Sequence, residues 1–352
     1  MHRFFTLLLP ALFLSVGVVF GAAQRDVPDK KAQTRVFVDS SGRNVQLPLE
    51  IKRIIPTGPV SQMFLAAVAP DLLCALNVQL TPAEKEFLNT HLAGLPVVGQ
   101  FYGDANFNPE EIARLAPDVI IDIGDPKPGI ANDMENIFRA TGTPVVHISA
   151  TLRTTPQAFC SLGDLLARGE KGEALACFCE KTLASAGAVV QRAGNDKRKI
   201  LHCAGSRGFN VLAKGSFHSE ILDWMADNQA VLDNPSSRAT GNEVNPEQIM
   251  LWNPQIIIFG LKNVYDSAAD DPVWKQMSAV QNGTYYYVPQ APYNWLSSPP
   301  AINRFLGILW LGSVLYPEFI NYDLYEECAG YFMLFYGHSL SRVRFYELTG
   351  QR

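Results

Sequence analysis

A short segment occurs twice in this chain, and the repetition constrains the fold more than any other feature. Residues 107–121 read FNPEEIARLAPDVII, and residues 244–258 read VNPEQIMLWNPQIII. In both copies an Asn-Pro-Glu start is followed by an isoleucine, a second proline and an apolar run. Two copies this far apart are typical of two similar lobes rather than of a solenoid, whose repeats adjoin one another.

Each copy predicts a capped helix that leads into a buried strand. Asn108 and Asn245 suit the N-cap, and the proline after each suits the first helical position. Glu111 and Gln248 fall at the third helical position, from which a side chain can reach back to the cap. The second proline ends the helix, and the β-branched run after it suits a strand of a parallel sheet. The alternative is two unrelated helix–strand units that share common caps.

Length and charge narrow the class of protein. A chain of 352 residues favours two domains, and 47% hydrophobic with 18% charged residues is ordinary for a globular protein. The net charge is -5 and there is no run rich in Lys and Arg. We therefore expect no nucleic-acid partner.

The amino terminus predicts export. Residues 1–23 read MHRFFTLLLPALFLSVGVVFGAA, a weakly basic start followed by an apolar run and small residues suited to cleavage. This pattern indicates a secretory signal peptide, and an uncleaved membrane anchor is the alternative. No cysteine adjoins the cleavage site, so we expect no lipid anchor and predict a soluble protein in a Gram-negative periplasm. The apolar run at 305–315 is too short to span a bilayer.

The order of the remaining patterns predicts an α/β protein with two Rossmann-like lobes, joined by a long α-helix and separated by a ligand cleft. The predicted parts are an N-terminal lobe at 34–155, a helical linker at 156–194 with one long helix over about 173–193, and a C-terminal lobe with a helical tail at 195–352. The predicted elements of the first lobe are a hairpin at 36–48, a short strand that runs into a Pro/Gly loop at 53–59, strands at 72–76, 119–121 and 144–149, and helices at 60–69, 82–94 and 131–142. A long helix between the lobes resists hinge closure.

The six cysteines, none in a C-x-x-C pair, give little support to a zinc or redox site. An oxidising compartment permits disulfides, whose pairing the sequence leaves open. Cys203 is predicted to be a buried strand thiol.

The ordered set of segments resembles one known family. VDSSGRNVQLP, RIIPTGP, NPEEIARLAPDVII, AKGSFHSEIL and NPEQIMLWNPQIII are similar to the substrate-binding proteins of ABC importers for iron complexes, haem and cobalamin. The tail YNWLSSPPAINRFLGILWLGSVLYPE resembles a subgroup whose members bind iron chelates and whose relatives include oxyanion binders. The resemblance implies a monomer that binds a siderophore- or haem-like ferric chelate, has no cofactor of its own and docks on an ABC permease dimer. Molybdate, tungstate or cobalamin binding is the alternative.

Ligands of open α/β sheets bind beyond the carboxyl ends of the strands, so the loops at those ends are the cleft candidates. Their aromatic side chains supply contact area, and their basic groups can pair with the oxygens of an anionic chelate. Arg207 is the strongest basic candidate, because it lies in a short loop directly after a strand. The candidates are Thr57, Gly58, Pro59, Phe101, Tyr102, Gly124, Asp125, Lys127, Ser206, Arg207, Phe209, Lys214, Ser216, Phe217, His218, Arg238, Lys262, Tyr293, Asn294 and Trp295.

Glu110 and Glu247 occupy equivalent positions in the two copies of the repeat. A carboxylate in the first turn stabilises a helix by about 0.3–1 kcal/mol through the helix dipole, which is a sufficient structural reason for both residues. The family resemblance implies a second role. One carboxylate on the rim of each lobe could pair with arginines of the permease.

Two further possibilities have weaker support. His218 could act as a metal or haem ligand and His147 as a metal ligand, but no cluster of His, Asp and Glu accompanies either residue. Ser216 with His218 could suggest a hydrolase. However, the chain has no G-x-S-x-G elbow, P-loop or dinucleotide fingerprint, so we predict a binding protein without catalysis.

Overall fold

The computed structural model describes residues 33–102, 106–236 and 238–350, together with His2. Apart from His2, the predicted signal peptide lies outside the described residues. None of the helices in this described part has the length and apolar content that a membrane crossing requires. The predicted hairpin is confirmed, since β1 (Thr34–Val38) pairs antiparallel with β2 (Asn44–Pro48).

Three parallel strands form the sheet of the first lobe, in the order β3-β4-β5. The strands are β3 (Ile54–Pro56), β4 (Val119–Gly124) and β5 (Val145–Ser149), and the helices around them are α1 (Pro59–Val68), α2 (Pro82–Phe87), α3 (Pro109–Leu115) and α4 (Ile130–Thr141). The strands are buried almost throughout because helices cover the faces of a parallel sheet. Their carboxyl ends meet at one edge.

Two predictions for the first lobe are wrong in detail. The segment 72–76 is no strand: it makes only isolated bridges, from Leu73 to Ile54 and from Leu76 to Val97. The predicted helix over 82–94 is divided into α2 and a 3₁₀ turn at Thr90–Gly94, whose N-cap is Asn89. Asn89 accepts the backbone N–H of His91 and so starts a new turn of helix there.

A long helix between the two sheets is confirmed. α5 (Thr155–Leu165) is followed by α6 (Gly169–Ala193), whose 25 residues span about 37 Å. The two helices pack closely because Gly163 and Gly172 face each other. A Cβ on Gly172 would lie 2.6 Å from the carbonyl oxygen of Phe159.

The second lobe contains a mixed sheet in the order β11-β10-β6-β7-β9, with β8 paired to β6. The strands are β6 (Lys199–Ala204), β7 (Asn210–Val211), β8 (Asp227–Asn228), β9 (Asn242–Glu243), β10 (Ile256–Phe259) and β11 (Tyr285–Tyr287). β10 is parallel to β6 and β11, as in the first lobe, whereas β7 pairs antiparallel with β6 and β9. The helices are α7 (Glu220–Met225), α8 (Pro246–Trp252), α9 (Lys262–Ser267) and α10 (Ser278–Gln281).

The carboxyl-terminal tail returns to the first lobe. It consists of α11 (Arg304–Leu315), α12 (Leu324–Tyr331), a π-helical turn (Phe332–Tyr336) and α13 (Arg342–Thr349). Phe332 packs edge-on against Phe87 of α2, with ring centroids 5.0 Å apart. Arg344 of α13 forms an ion pair with Glu86, which also lies in α2, at 2.7 Å. The tail therefore ties the two lobes together beside α6.

The predicted repeat is confirmed as two capped helix–strand units. The Asn108 carboxamide oxygen accepts the backbone N–H groups of Glu110 and Glu111, and the Asn245 oxygen accepts that of Gln248. The expected reach of Glu111 back to its cap is wrong. The N–H of Asn108 is already donated to the carbonyl of Val98, and Glu111 pairs with Arg114 at 2.6 Å instead.

All six cysteines lie in the described residues and none forms a disulfide. Cys203 is a buried thiol on β6, as predicted, and burial raises its pKa well above the ordinary value. The thiol is therefore protonated at neutral pH.

Candidate functional site

The carboxyl ends of β3 and β4 open into a cavity of about 270 Å³ in the first lobe. Its lining residues are Thr57, Gly58, Pro59, Val60, Ser61, Gln100, Tyr102, Asp122, Ile123, Gly124, Asp125, Lys127 and Ile130. Every cleft residue that the sequence predicts in this lobe lines the cavity except Phe101. Phe101 is buried behind it and stacks on Phe107, with ring centroids 4.4 Å apart.

A buried polar network underlies the cavity. Asp122 on β4 accepts the Thr57 hydroxyl, and its other oxygen lies 2.7 Å from Nδ1 of His147 on β5. His147 Nε2 in turn lies 3.1 Å from the Ser149 hydroxyl. Both ring nitrogens of His147 are therefore engaged, which leaves neither available as the metal ligand considered from sequence. Asp122 is a residue that the sequence analysis missed, because its place in a continuous apolar run suggests no role.

Tyr102 and Lys127 form one wall of the cavity. The Lys127 ammonium lies 4.0 Å from the centroid of the Tyr102 ring and 3.3 Å from Asp133, so its charge is already compensated. The Tyr102 hydroxyl is buried and makes no hydrogen bond with a described residue. Burial, reinforced by the charges of Asp122 and Asp133, raises the pKa of Tyr102 well above its usual range. The Tyr102 hydroxyl is therefore protonated at neutral pH.

Asp125 links the cavity to the second lobe. Its carboxylate forms no ion pair or hydrogen bond with a described residue, and burial raises its pKa. Arg304 and Glu220, both in the second lobe, are close enough for their charges to act on it. The cavity therefore forms one half of a cleft, and the other half contains the start of α11 and the segment that leads into α7.

Arg304 is the central charged group of the second half. Its side chain is 3% exposed, its guanidinium lies 2.5 Å from Glu220, and it lies 5.5 Å from the centroid of the Phe217 ring. The Nε–H makes no hydrogen bond with a described residue. Arg304 was not predicted from the sequence, since it directly precedes the apolar run at 305–315 and carries no motif of its own. The preceding SSPPAIN segment was the available signal for a loop beside the cleft.

Ser216, Phe217 and His218 lie beside Arg304. Nδ1 of His218 lies 2.7 Å from the Ser297 carbonyl and must donate to it, so in the neutral ring Nε2 is an acceptor. The Ser216 hydroxyl is buried without a partner among the described residues. No group of three or more His, Cys, Asp and Glu that could hold a metal ion occurs in the described ranges.

Two predicted cleft residues have structural roles instead. Trp295 is fully buried, and its indole N–H donates to the Ala291 carbonyl. Asn294 is buried, and its carboxamide oxygen accepts the backbone N–H groups of Leu296 and Ser297. This Pro-rich loop uses both side chains to satisfy and pack its own backbone, so the structure gives no support to the prediction that Trp295 and Asn294 reach a ligand.

The remaining basic candidates are exposed or paired. Arg207 is exposed, and its guanidinium lies 5.1 Å from the Phe209 ring. Arg238 is exposed, Lys262 pairs with Asp266 one helical turn away, and Lys214 lies 3.7 Å from Asp227. Of the basic side chains named in the second lobe, Arg304 alone is buried.

Glu110 and Glu247 are both exposed in the first turn of their helices, α3 and α8. The structure thus places one accessible carboxylate at the same position of each repeat copy. Neither carboxylate forms an ion pair within the described residues.

Comparison with known proteins identifies the class. The sequence profile of a family described as periplasmic binding protein matches residues 65–292, from α1 to the loop after β11. This span is well over half of the chain, and the chain therefore belongs to the periplasmic binding protein family. Its two-lobe α/β architecture is the fold of that family's solved relatives.

Individual relatives define the similarity more closely. The Fe(3+)-citrate-binding protein YfmC of Bacillus subtilis is 24% identical over 185 residues, so that the match covers 51% of this chain and only 56% of that protein. An ABC transporter solute binding protein from Sulfurospirillum deleyianum is 28% identical, with a TM-score of 0.82 over 90% of this chain and 99% of that chain.

More distant structures share the fold alone. A periplasmic solute binding protein from Veillonella parvula has a TM-score of 0.73 at 24% identity, over 90% of this chain and 97% of that one. The catecholate-siderophore binding protein VctP of Vibrio cholerae has a TM-score of 0.57 at 17% identity, over 79% and 98%.

Proposed function

We propose that this protein captures a ferric chelate in the cleft between its lobes and delivers it to the permease of an ABC importer, without catalysis. The observation that carries the proposal is the buried Arg304, whose Nε–H has no partner among the described residues, which lies 5.5 Å from the Phe217 ring and whose charge acts on Asp125 of the cavity. A buried donor without a partner costs free energy unless a ligand satisfies it. Similarity to a ferric-citrate-binding protein supports iron as the metal.

Ligand binding is testable with purified protein. Thermal shift and calorimetry would compare ferric citrate, a ferric catecholate, haem, cobalamin and molybdate. We expect a ferric chelate to raise Tm by selective binding to the folded state. If the protein binds molybdate or cobalamin and no ferric chelate, the alternative ligand takes the place of the ferric chelate in the proposed function. Turnover of an ester substrate would contradict a purely binding role.

Arg304 and Arg207 provide a matched pair of variants. Arg304→Lys keeps the charge but removes Nε–H, and it should weaken chelate binding by about 1.5–3 kcal/mol, the contribution of a hydrogen bond to a charged group. We predict from the sequence that Arg207→Ala also weakens binding of an anionic ligand while leaving Tm nearly unchanged. Unchanged affinity in calorimetry would remove the corresponding arginine from the binding site.

Docking on the permease is proposed to involve Glu110 and Glu247. Truncating both to alanine removes a dipole contribution of under about 1 kcal/mol each, so folding and chelate binding should persist. Losing a carboxylate partner in a desolvated interface can cost about 2–5 kcal/mol. The double variant should therefore fail to stimulate ATP hydrolysis by the reconstituted transporter. The control is a variant with alanine at both Glu135 and Glu326, which lie on other helices. If the Glu110 and Glu247 double variant stimulates ATP hydrolysis as wild type does, docking through Glu110 and Glu247 is ruled out.

Export through a cleaved signal peptide is also part of the proposal. Amino-terminal sequencing of protein recovered from the periplasm should begin at Gln24. Recovery of the intact amino terminus in the membrane fraction would indicate the uncleaved anchor instead.

A further inference from the structure

We infer that the cleft is built for a chelate that carries a cationic or hydrogen-bond-donor arm bound by Asp125, in addition to oxygens bound by Arg304. This inference rests on the proposed function, and it narrows the ligand from ferric chelates in general to those with such an arm. It differs from the anionic chelate expected from the sequence.

The first step concerns Asp125 itself. It lines the cavity at the end of β4 and has no ion-pair or hydrogen-bond partner among the described residues, although Asp122, three residues earlier, has two. Partial burial raises the pKa of Asp125, with Arg304 opposing this effect. A carboxylate that is partly removed from water without a partner is unfavourable, and a ligand donor would relieve that cost.

The second step is that the nearby cations are already committed. Lys127 lies 3.3 Å from Asp133, and Arg304 lies 2.5 Å from Glu220. The charged residues that line the cavity are Asp122, Asp125 and Lys127, and of these Asp125 alone has no hydrogen-bond or ion-pair partner among the described residues. An anionic group of a chelate beside Asp125 would therefore meet an unpaired negative charge, and like charges brought together are strongly disfavoured.

The third step is that the two halves offer different unused groups. Arg304 is buried, and its Nε–H has no acceptor among the described residues. In the first half, the Asp125 carboxylate requires a donor. One ligand satisfies both only if it presents oxygens on one side and an ammonium, amide or hydroxyl donor on the other. A chelate with a pendant amine has this chemistry.

The test uses two ferric trihydroxamates that differ only in the arm. Ferrioxamine B carries a pendant ammonium, and its N-acetyl derivative is neutral there. Calorimetry at neutral pH should show at least about tenfold tighter binding of the ammonium form by the wild-type protein, one charge-assisted contact being worth this much or more. Asp125→Asn should reduce the preference to less than about threefold, and Asp125→Glu should retain part of it.

Asp71→Asn is the matched control, since Asp71 is an exposed carboxylate paired with Arg168 on the surface. It should leave the preference unchanged. Equal binding of the two chelates by wild type overturns the inference while leaving ferric chelate capture intact. The same holds if ferric citrate binds and neither trihydroxamate does. If no ferric chelate binds, the proposed function fails, and the inference fails with it.

Discussion

The two lobes use the same helix–strand unit but bury a histidine in opposite ways. His147 on β5 lies beside Asp122 of β4, its partner in the sheet register, and both of its ring nitrogens have partners. His202 on β6 lies beside Ile258 of β10, and its Nδ1 has no partner among the described residues. The cross-strand neighbour, rather than the scaffold, decides whether a buried polar ring is satisfied.

The outer surfaces of the two units differ as well. Arg114 of α3 is exposed and pairs with Glu111, whereas the equivalent position in α8 is Leu251, which is 79% exposed. Gln248 replaces Glu111 in the second copy. The two copies therefore share their N-cap and core residues, which the helix start and the packing require. They differ at exposed positions, where a side chain makes few contacts.

Removing the Asp122 carboxylate from the first lobe should lower the free energy of unfolding more than any other change considered below. Asp122→Ala leaves His147 Nδ1 buried without an acceptor, at about 1–3 kcal/mol. It also removes the hydrogen bond from Thr57, at about 0.5–1.5 kcal/mol, since the Thr57 hydroxyl keeps Ser61 as a partner. The free energy of unfolding from urea denaturation should fall by about 1.5–4.5 kcal/mol. Asp71→Ala, on the surface, is the control. A loss below about 1 kcal/mol would mean that the network contributes little to stability.

The unsatisfied histidine of the second lobe predicts a pH dependence. Burial, with a smaller contribution from the charge of His218, lowers the pKa of His202 from 6.5 to about 4. The unfolded chain binds this proton first, so stability should fall as the pH drops from about 6.5 to about 4, by about 3 kcal/mol, and then level off.

His202→Gln tests this dependence, because glutamine does not titrate. Urea denaturation at several pH values should show a shallower slope in this window for His202→Gln than for wild type. His91→Gln, at an exposed position, should retain the wild-type slope. Identical slopes for all three proteins would contradict neutral burial of His202.

The smallest effect is expected on the outer surface. Arg114→Leu gives α3 the side chain of its counterpart in α8 and breaks an exposed ion pair, and such pairs contribute little to stability. We expect no measurable change in Tm by calorimetry. A clear decrease would show that the two outer surfaces are not interchangeable.

Local patterns were sufficient for the repeated units. Asn108 and Asn245 act within their own helices, so caps, prolines and apolar runs predicted both helix–strand pairs and the parallel strands after them. The break between Phe87 and Thr90 was missed because the apolar pattern continued across it. Residues of the loops at 57–59 and 124–127, predicted as cleft candidates, line the cavity, since strand ends in a parallel sheet share one edge. Their contact with a ligand stays a prediction.

The sequence by itself therefore determined the α/β class, the two lobes, the long helix between them and one side of the cleft. Only the tertiary structure decided that Asp122 reaches His147, that Arg304 comes close enough for its charge to act on Asp125 and that Trp295 is turned into the core. It also decided that the tail returns to the first lobe through Phe332 and Phe87. Caps and strand periodicity depend on neighbours a few residues away, whereas these contacts join positions far apart in the chain. Their residue types are equally compatible with core, surface or site until the packing of the lobes brings them together.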